Sequence, residues 1–160
     1  MHTQLANLEG RGLHLEEVKA DLVAELGRTK VGDPSDRENR MGPLSSPRQF
    51  EDVKAGIAKL QEVCETACGG PEALGETGCY VAPTLLVAND PSAEIIHAEE
   101  VFGPVATVMP YPGDVDELCD WIGKGRGGLV SSIYSDKKSF VEKMLLGIAP
   151  YHGRLTVGNE

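Results

Sequence analysis

The second half of the chain alternates between strand-like and helix-like periodicity, and this alternation limits the fold more than any other feature. Three short apolar segments are typical of strands, and the two segments between them repeat apolar side chains at helical intervals; the segments are residues 105–111, 114–122, 129–134, 136–146 and 155–158. Helices of about ten residues between strands favour right-handed crossovers between parallel strands. The pattern therefore predicts an α/β fold of βαβαβ order, with a mostly parallel sheet covered by helices on its faces.

The first half predicts two further helices and a strand. Residues 14–26 place apolar side chains at helical intervals with charged residues between them, the pattern of an amphipathic helix. A second helix begins at a Ser-Pro-Arg-Gln capping signal, residues 46–49, and its apolar stripe continues to Cys64. Residues 79–87 are typical of a strand at a sheet edge or bulge, because Pro83 interrupts them.

The charge balance excludes some classes of partner. A formal net charge of -10 opposes binding to phosphate backbones, which requires clustered lysine and arginine. The sequence contains neither the long apolar run of a membrane span nor an apolar signal-peptide core after Met1. We therefore expect a cytoplasmic protein without a nucleic-acid or membrane partner.

The four cysteines are too few for a disulfide scaffold in a chain of this length. Cys64 and Cys68 would share one face of a helix, where two thiolates could hold one side of a zinc ion. No histidine stands at the usual ligand spacing beside them. Buried thiols are the favoured interpretation, and no metal site is predicted.

One glycine-rich segment fits a nucleotide-binding pattern in the wrong context. The sequence GKGRGG at residues 123–128 has the spacing G-x-G-x-x-G. A dinucleotide-binding loop follows a strand and opens a helix, whose N-terminus meets the pyrophosphate, whereas these glycines follow a predicted helix and precede a predicted strand. We interpret the segment as a structural turn at a helix C-terminus.

Two adjacent carboxylates and an aromatic residue stand directly before the strand predicted at residue 105, in the sequence EEVFGP at residues 99–104. A carboxylate can accept hydrogen bonds from both hydroxyls of a ribose, and an aromatic ring two residues away on the same face can pack against the sugar or a nicotinamide. Glu100 and Phe102 have this relation. The alternative is that Glu100 is a solvated surface residue and Phe102 belongs to the core.

Residues 99–105 resemble the hallmark segment of the aldehyde dehydrogenase superfamily. Segments at matching distances extend the resemblance, namely residues 31–34, 41–44, 49–50, 78–85, 128–129 and 153–159. The resemblance covers about residues 14–160 and implies an incomplete catalytic domain over that range, with an unmatched N-terminal segment at residues 1–13.

A narrower resemblance concerns residues 106–111 and 147–154, which are similar to the branch that acts in phenylacetate and benzoyl-CoA degradation. Members of that branch oxidise semialdehydes carried on coenzyme A, commonly with NADP. This resemblance implies such a substrate and favours NADP over NAD. We interpret His152 as a loop or core-edge histidine, because no residue near it in sequence forms a catalytic dyad with it.

The family resemblance implies oxidation of an aldehyde by attack of a cysteine, hydride transfer to NAD or NADP, and hydrolysis by a glutamate-activated water. It places the nucleophile, the base, the oxyanion donor and the Rossmann half upstream of the matched region, so no catalytic residue is assigned here. Glu100 is expected to bind the ribose hydroxyls at the nicotinamide end of the cofactor, and Phe102 to pack beside the ribose and the ring.

Three interpretations follow for the protein as a whole. We expect a fragment, truncated at both ends and inactive alone, of an enzyme that acts on a small-molecule aldehyde and forms a homo-oligomer at full length. The alternatives are a non-catalytic remnant that acts as an interaction or assembly module, and one chain of a split enzyme completed by a separate chain.

Overall fold

The computed structural model describes residues 15–75, 77–111 and 113–158, and over these residues helices and strands alternate along the chain. The elements are α1 (Leu15–Gly27), α2 (Pro47–Gln61), β1 (Cys64–Cys68), β2 (Thr84–Ala88), α3 (Glu94–Ala98), β3 (Val105–Val108), α4 (Val115–Lys124), β4 (Gly128–Tyr134), α5 (Lys138–Ile148) and β5 (His152–Gly158), with a 3-10 turn at Ala149–Tyr151. The unmatched segment predicted for residues 1–13 lies outside the described residues.

The predicted alternation from residue 105 onward is confirmed. β3, α4, β4, α5 and β5 follow one another in the expected order, and β4 pairs with β5 in parallel. Asp114 caps α4, because its carboxylate accepts hydrogen bonds from the backbone N–H groups of Asp116 and Glu117. Such a cap satisfies donors that have no partner within the helix.

The strand pairings are mostly parallel, as predicted, and fall in two sheets. In the first sheet β1 is antiparallel to β2, and β2 is parallel to β3. β4 and β5 form a second sheet of two parallel strands. Among the described residues, no strand pairing joins β3 to β4.

β1 was not expected, because the apolar stripe of α2 was predicted to continue through Cys64. The helix ends at Gln61, and Cys64–Cys68 pair with β2 instead. All five residues of β2 are buried. Pairing with this buried strand outweighs the helical pattern of Cys64–Cys68. The strand predicted at residues 79–87 begins only at Thr84, directly after Pro83, which has no N–H to donate.

Helices cover both faces of β2, which places the core of the first sheet around this strand. Leu86 and Ala88 belong to an apolar cluster with Leu60 of α2 and Ile96 of α3. Residues of the opposite face pack against α1, namely Leu85 and Val87 with Leu15, Leu22, Val23 and Leu26. This two-sided burial is typical of strands in parallel sheets.

A separate apolar cluster holds the second sheet to α4 and α5. Ile133 of β4 is its buried strand residue, and the helices contribute Leu118, Trp121, Phe140, Met144 and Ile148. The opposite face of the second sheet carries no helix among the described residues, and β4 is exposed along most of its length. No described helix is long and apolar enough to span a membrane.

Candidate functional site

The segment that carries Glu100 and Phe102 connects α3 to β3 and lies against the first half of α2. Gln49 forms the polar link between them: its Nε2 donates a hydrogen bond of 2.8 Å to the carbonyl oxygen of Phe102. Its Oε1 accepts from the backbone N–H of Ser45 at 3.1 Å and from the Ser45 hydroxyl at 2.6 Å. The side-chain amide therefore joins the turn before α2 to a segment 53 positions away in sequence.

The capping signal predicted at residues 46–49 is confirmed in one of its two hydrogen bonds. Ser46 is the N-cap of α2, and its hydroxyl accepts from the backbone N–H of Gln49 at 3.2 Å. In a capping box the Gln49 side chain would return to the N-cap backbone N–H. It binds Ser45 and Phe102 instead, which makes it part of the candidate site.

Two glycines allow α2 and this segment to approach closely. A Cβ at Gly56 of α2 would lie 2.7 Å from a Val101 methyl group, and a Cβ at Gly103 would lie 2.7 Å from a Val53 methyl group. Residues 49, 53 and 56 follow one face of the helix, and each faces one residue of the segment 101–103. The segment is therefore held by one hydrogen bond and two close apolar contacts.

Glu100 and Phe102 are both exposed, and they line one open cavity. The Phe102 side chain is 70% exposed, so the alternative interpretation of this residue as part of the core is wrong. An aromatic ring held in water forgoes the free energy that burial would provide, which makes it available to a ligand. The cavity measures about 470 Å³ and is lined by Ser45, Gln49, Asp52, Val53, Glu100, Val101 and Phe102.

The two adjacent carboxylates have different surroundings. Glu99 forms an ion pair with Lys59 of α2 at 3.2 Å, which ties it to the helix. Glu100 and Asp52 line the cavity from opposite elements. Two carboxylates and an aromatic face suit a ligand that carries hydroxyl donors and positive charge, and they disfavour a phosphate group.

The glycine-rich segment at residues 123–128 is a structural turn, as predicted. α4 ends at Lys124, and β4 begins at Gly128. Arg126 and Gly127 have φ angles of 57° and 122°, so both lie in the left-handed region. At Gly127 a Cβ would also lie 3.0 Å from the carbonyl oxygen of Tyr151.

His152 begins β5 in a half-buried position, which agrees with its interpretation as a core-edge histidine. Its Nδ1 lies 3.1 Å from the carbonyl oxygen of Ile148. That ring nitrogen is therefore placed to donate to the end of α5.

Two of the four cysteines, Cys64 and Cys119, have thiols whose pKa is raised. Burial raises the pKa of the Cys64 thiol, and burial together with the charges of Asp116 and Asp120 raises the pKa of Cys119. A cysteine nucleophile requires a lowered pKa, so neither thiol suits that role. Cys64 and Cys68 lie on a strand rather than a helix, and no group of three or more metal-ligating side chains occurs within the described ranges.

Gln49 and Asp52 were not predicted as site residues. Their spacing with Val53 and Gly56 places them on one face of α2, a pattern that the sequence does contain. Nothing in the local pattern shows that this face meets residues about fifty positions later. The signal for a cavity at this place was therefore limited to Glu100 and Phe102.

Comparisons with known proteins identify related sequences. The model of the aldehyde dehydrogenase family matches residues 13–149. The 3,4-dehydroadipyl-CoA semialdehyde dehydrogenase of Aromatoleum evansii is 38% identical over 146 residues, which are 86% of this chain and 28% of that protein. The betaine aldehyde dehydrogenase of Cereibacter sphaeroides is 42% identical over 104 residues, 64% of this chain and 21% of that protein.

Solved structures give the same result for the fold. A mutant aldehyde dehydrogenase from Bacillus cereus has a TM-score of 0.81 at 25% identity, covering 97% of this chain and 30% of that chain. A mutant aldehyde dehydrogenase C from Pseudomonas syringae, in complex with NAD+ and octanal, has a TM-score of 0.75 at 29% identity, covering 90% and 30%. The chain thus spans less than a third of the length of these relatives.

Proposed function

The chain belongs to the aldehyde dehydrogenase family, and from this membership we propose that residues 14–160 form part of the catalytic domain of an NAD(P)-dependent aldehyde dehydrogenase. Residues 1–13 lie outside that domain in this proposal. The part contributed is the surface that receives the nicotinamide end of the cofactor. The isolated chain is inactive, because the resemblance assigns the nucleophile and the base to the region upstream of it.

The observation that carries this proposal is the exposed Phe102 ring beside Glu100, on a segment that α2 holds in place. Glu100 accepts hydrogen bonds from the ribose hydroxyls, and Phe102 packs against the ribose and the nicotinamide ring. Gln49 and Val53 keep the backbone of the segment in register with the cavity. These residues bind and orient the cofactor, and none of them transfers a proton.

The properties of the cavity fit one end of the cofactor. The oxidised nicotinamide ring carries positive charge and its ribose carries two hydroxyl groups, which suit the carboxylates of Glu100 and Asp52. The same carboxylates would repel the pyrophosphate of NAD or NADP. A pyrophosphate is better accommodated at a helix N-terminus. When bound, NAD(P) supplies the acceptor for the hydride that leaves the aldehyde carbon.

The substrate proposed is a semialdehyde carried on coenzyme A. The name of the Aromatoleum evansii relative supports this class, and the resemblance of residues 106–111 and 147–154 to the same branch favours NADP as the cofactor. The complete enzyme in this proposal is a cytoplasmic homo-oligomer.

A chimera tests the proposal. Residues 14–160 would replace the matching region of the Aromatoleum evansii relative, and formation of NAD(P)H would be followed with a CoA-linked semialdehyde. We expect turnover by the chimera, none by the isolated chain, and turnover reduced about tenfold or more in the Glu100→Gln chimera. Glu62→Gln, at the far end of α2, is the matched control and should leave turnover unchanged.

Two outcomes would contradict the proposal. Clear turnover by the isolated chain would show that the catalytic groups lie within it. A folded chimera in which Glu100→Gln and Glu62→Gln have equal activity would show that Glu100 does not contact the cofactor.

A second candidate function, an interaction module, is favoured by the exposed apolar side chains of the second sheet. Leu129 and Tyr134 of β4 are 88% and 71% exposed. Large exposed apolar side chains can take part in association with another surface. Association through this surface is compatible both with an interaction module and with a part of an aldehyde dehydrogenase.

A further inference from the structure

The short helix α3 leads directly into the candidate cofactor segment and depends on the surrounding fold for its position. It has five residues, and no side chain among the described residues caps its N-terminus. Isolated helices of this length are not stable in water, so contacts with other parts of the chain must hold α3 in place. Glu99 is the C-cap of α3, and Glu100 follows it. The place of Glu100 is therefore set by whatever holds this helix.

Two residues of α3 are buried, and they hold the helix in different ways. Ile96 is 1% exposed and packs into the apolar cluster of the first sheet. His97 is 7% exposed, and its Nε2 lies 2.7 Å from the carbonyl oxygen of Pro91. A carbonyl oxygen can only accept, so Nε2 carries the proton and donates it. Apolar packing has no preferred direction, whereas this hydrogen bond fixes the rotation of the last turn of the helix.

The acceptor of this hydrogen bond lies in a loop that is itself held in place. In this loop Ser92 donates to the Asp90 carboxylate from its backbone N–H at 2.9 Å and from its hydroxyl at 2.6 Å. Lys124, the last residue of α4, donates from Nζ to the carbonyl oxygen of Ser92 at 3.0 Å. The loop is thereby connected to a helix of the second sheet. Pro91 therefore offers His97 an acceptor in a defined position.

The candidate segment is thus anchored on both sides of Glu100. Gln49 holds the carbonyl oxygen of Phe102 after it, and His97 holds the helix before it. We propose that His97 is a positioning residue for Glu100, because its hydrogen bond to Pro91 sets the place from which the carboxylate reaches the nicotinamide ribose. The inference rests on the proposed function, which gives Glu100 its ligand. His97 acts through the backbone of α3.

A packing role for the imidazole ring is the alternative, and two variants separate the two roles. His97→Phe keeps an aromatic ring but removes the donor. His97→Gln removes the ring but keeps an N–H donor at a similar distance from the backbone. If the ring only fills space, phenylalanine is the better replacement, whereas a positioning role makes glutamine the better one.

The first experiment uses the chimera. It measures KM for NAD(P), the rate of hydride transfer in a single turnover, and alkylation of the nucleophilic cysteine. His97→Phe should raise KM about fivefold and slow hydride transfer, because the hydrogen bond that places Glu100 is lost. Alkylation should stay unchanged, since α3 does not carry the nucleophile. His97→Gln should keep KM within about twofold of the parent value.

The second experiment needs no turnover and uses the isolated chain. Glu99 N–H donates to the carbonyl oxygen of Ile95 at 2.9 Å, at the end of α3. Thr84 N–H donates to the carbonyl oxygen of Pro104 at 2.8 Å and serves as the reference amide of the first sheet. Amide hydrogen exchange followed by NMR should increase at Glu99 about fivefold more than at Thr84 in His97→Phe. His97→Gln should leave this ratio unchanged.

Lys124→Met tests the same contacts from their far end and decides the matter if His97→Phe does not fold. Lys124 is exposed, so its replacement does not open the core. Lys143→Met is the matched control, because this lysine is also exposed and forms its ion pair within the helices of the second sheet. Lys124→Met should increase exchange at Glu99 relative to Thr84 by about twofold or more, and Lys143→Met should not.

Three results would overturn the inference. His97→Phe could keep the parent KM while Glu100→Gln is impaired, His97→Gln could be impaired as much as His97→Phe, or exchange at Glu99 could rise no more than at Thr84. Equal activity of Glu100→Gln and Glu62→Gln would instead contradict the proposed function. The exchange measurement would still decide whether His97 holds the helix before Glu100.

Discussion

The side-chain amide of Gln49 lies 2.8 Å from the carbonyl oxygen of Phe102, and this contact fixes the candidate cofactor segment to the start of a helix. The same amide is held from its other side by Ser45, so its orientation is determined before any ligand binds. A site that is formed in advance does not lose further conformational freedom on binding. In the proposed function Gln49 is therefore a positioning residue for Glu100 and Phe102.

Gln49→Ala should weaken cofactor binding as well as the fold. We expect the free energy of unfolding of the isolated chain to fall by about 1–3 kcal/mol, measured by urea denaturation, because the side-chain hydrogen bonds of Gln49 to Phe102 and Ser45 are lost. In the chimera the KM for NAD(P) should rise. Gln61→Ala is the control: it removes a 2.8 Å hydrogen bond to Thr66 at the other end of α2, so it should also destabilise the chain but leave KM unchanged. Equal effects on KM would contradict the positioning role.

Glu100→Gln in the chimera should slow hydride transfer while leaving the nucleophilic cysteine reactive toward alkylating agents. The loss of a hydrogen bond to a charged group corresponds to about tenfold or more in kcat/KM. Glu99→Gln is the control, because it changes the neighbouring carboxylate, which pairs with Lys59 and does not line this cavity. Loss of alkylation in Glu100→Gln would indicate a role in the reactivity of the cysteine instead.

Gly56→Ala should destabilise the isolated chain by about 1–3 kcal/mol, because the added methyl group would overlap Val101 in a packed region. The double variant with Val101→Ala should recover part of this loss, since it removes the overlapping methyl groups. Gly27→Ala, at the end of α1 with no atom within 4 Å of the added carbon, should not destabilise the chain. Urea denaturation of the parent chain, the single variants Gly56→Ala, Val101→Ala and Gly27→Ala, and the double variant measures these differences. Additive losses in the double variant would contradict the contact.

The stability of the chain should fall as the pH rises above the ordinary pKa of a thiol, near 9.0. Burial raises the pKa of Cys64 in the folded state, so the unfolded chain loses its proton first and is favoured by alkaline pH. The stability that the protonated Cys64 thiol contributes is fully retained below the pKa of this thiol in the unfolded chain. It is lost as the pH rises toward the higher pKa of the thiol in the folded chain. Urea denaturation at neutral and alkaline pH measures this effect. The free energy of unfolding should decrease less between the two pH values in Cys64→Ala than in the parent chain. An identical decrease would assign the pH dependence to other groups.

The sequence predicted most elements whose signals are local. Ser46 caps a helix where its spacing indicated, and the order of elements from β3 to β5 follows from periodicity alone. β1 was missed because Cys64 and Cys68 continue a helical pattern, and only pairing with a buried strand distant in sequence makes them extended. The separation into two sheets was missed for the same reason, since strand pairing depends on contacts that periodicity does not contain.

The residues of the candidate site that have a local signal were predicted, and those contributed by a distant helix were not. Glu100 and Phe102 could be selected as a carboxylate and an aromatic residue two positions apart, and family resemblance gave them a role. The cavity around them could not be predicted, because Gln49 and Asp52 approach from a helix about fifty positions earlier. Gln49 also gave a misleading local signal, since its position suits a capping box whose second hydrogen bond is replaced by the one to Phe102.

Two sheets without a strand pairing between them have a consequence for how the described part of the chain unfolds. Each sheet has its own apolar cluster, so each can lose its structure as a separate cooperative unit. Backbone amides of β2, covered on both faces, should exchange with deuterium slowly, whereas amides on the outer edge of β4 should exchange early. A single melting temperature would then describe neither unit.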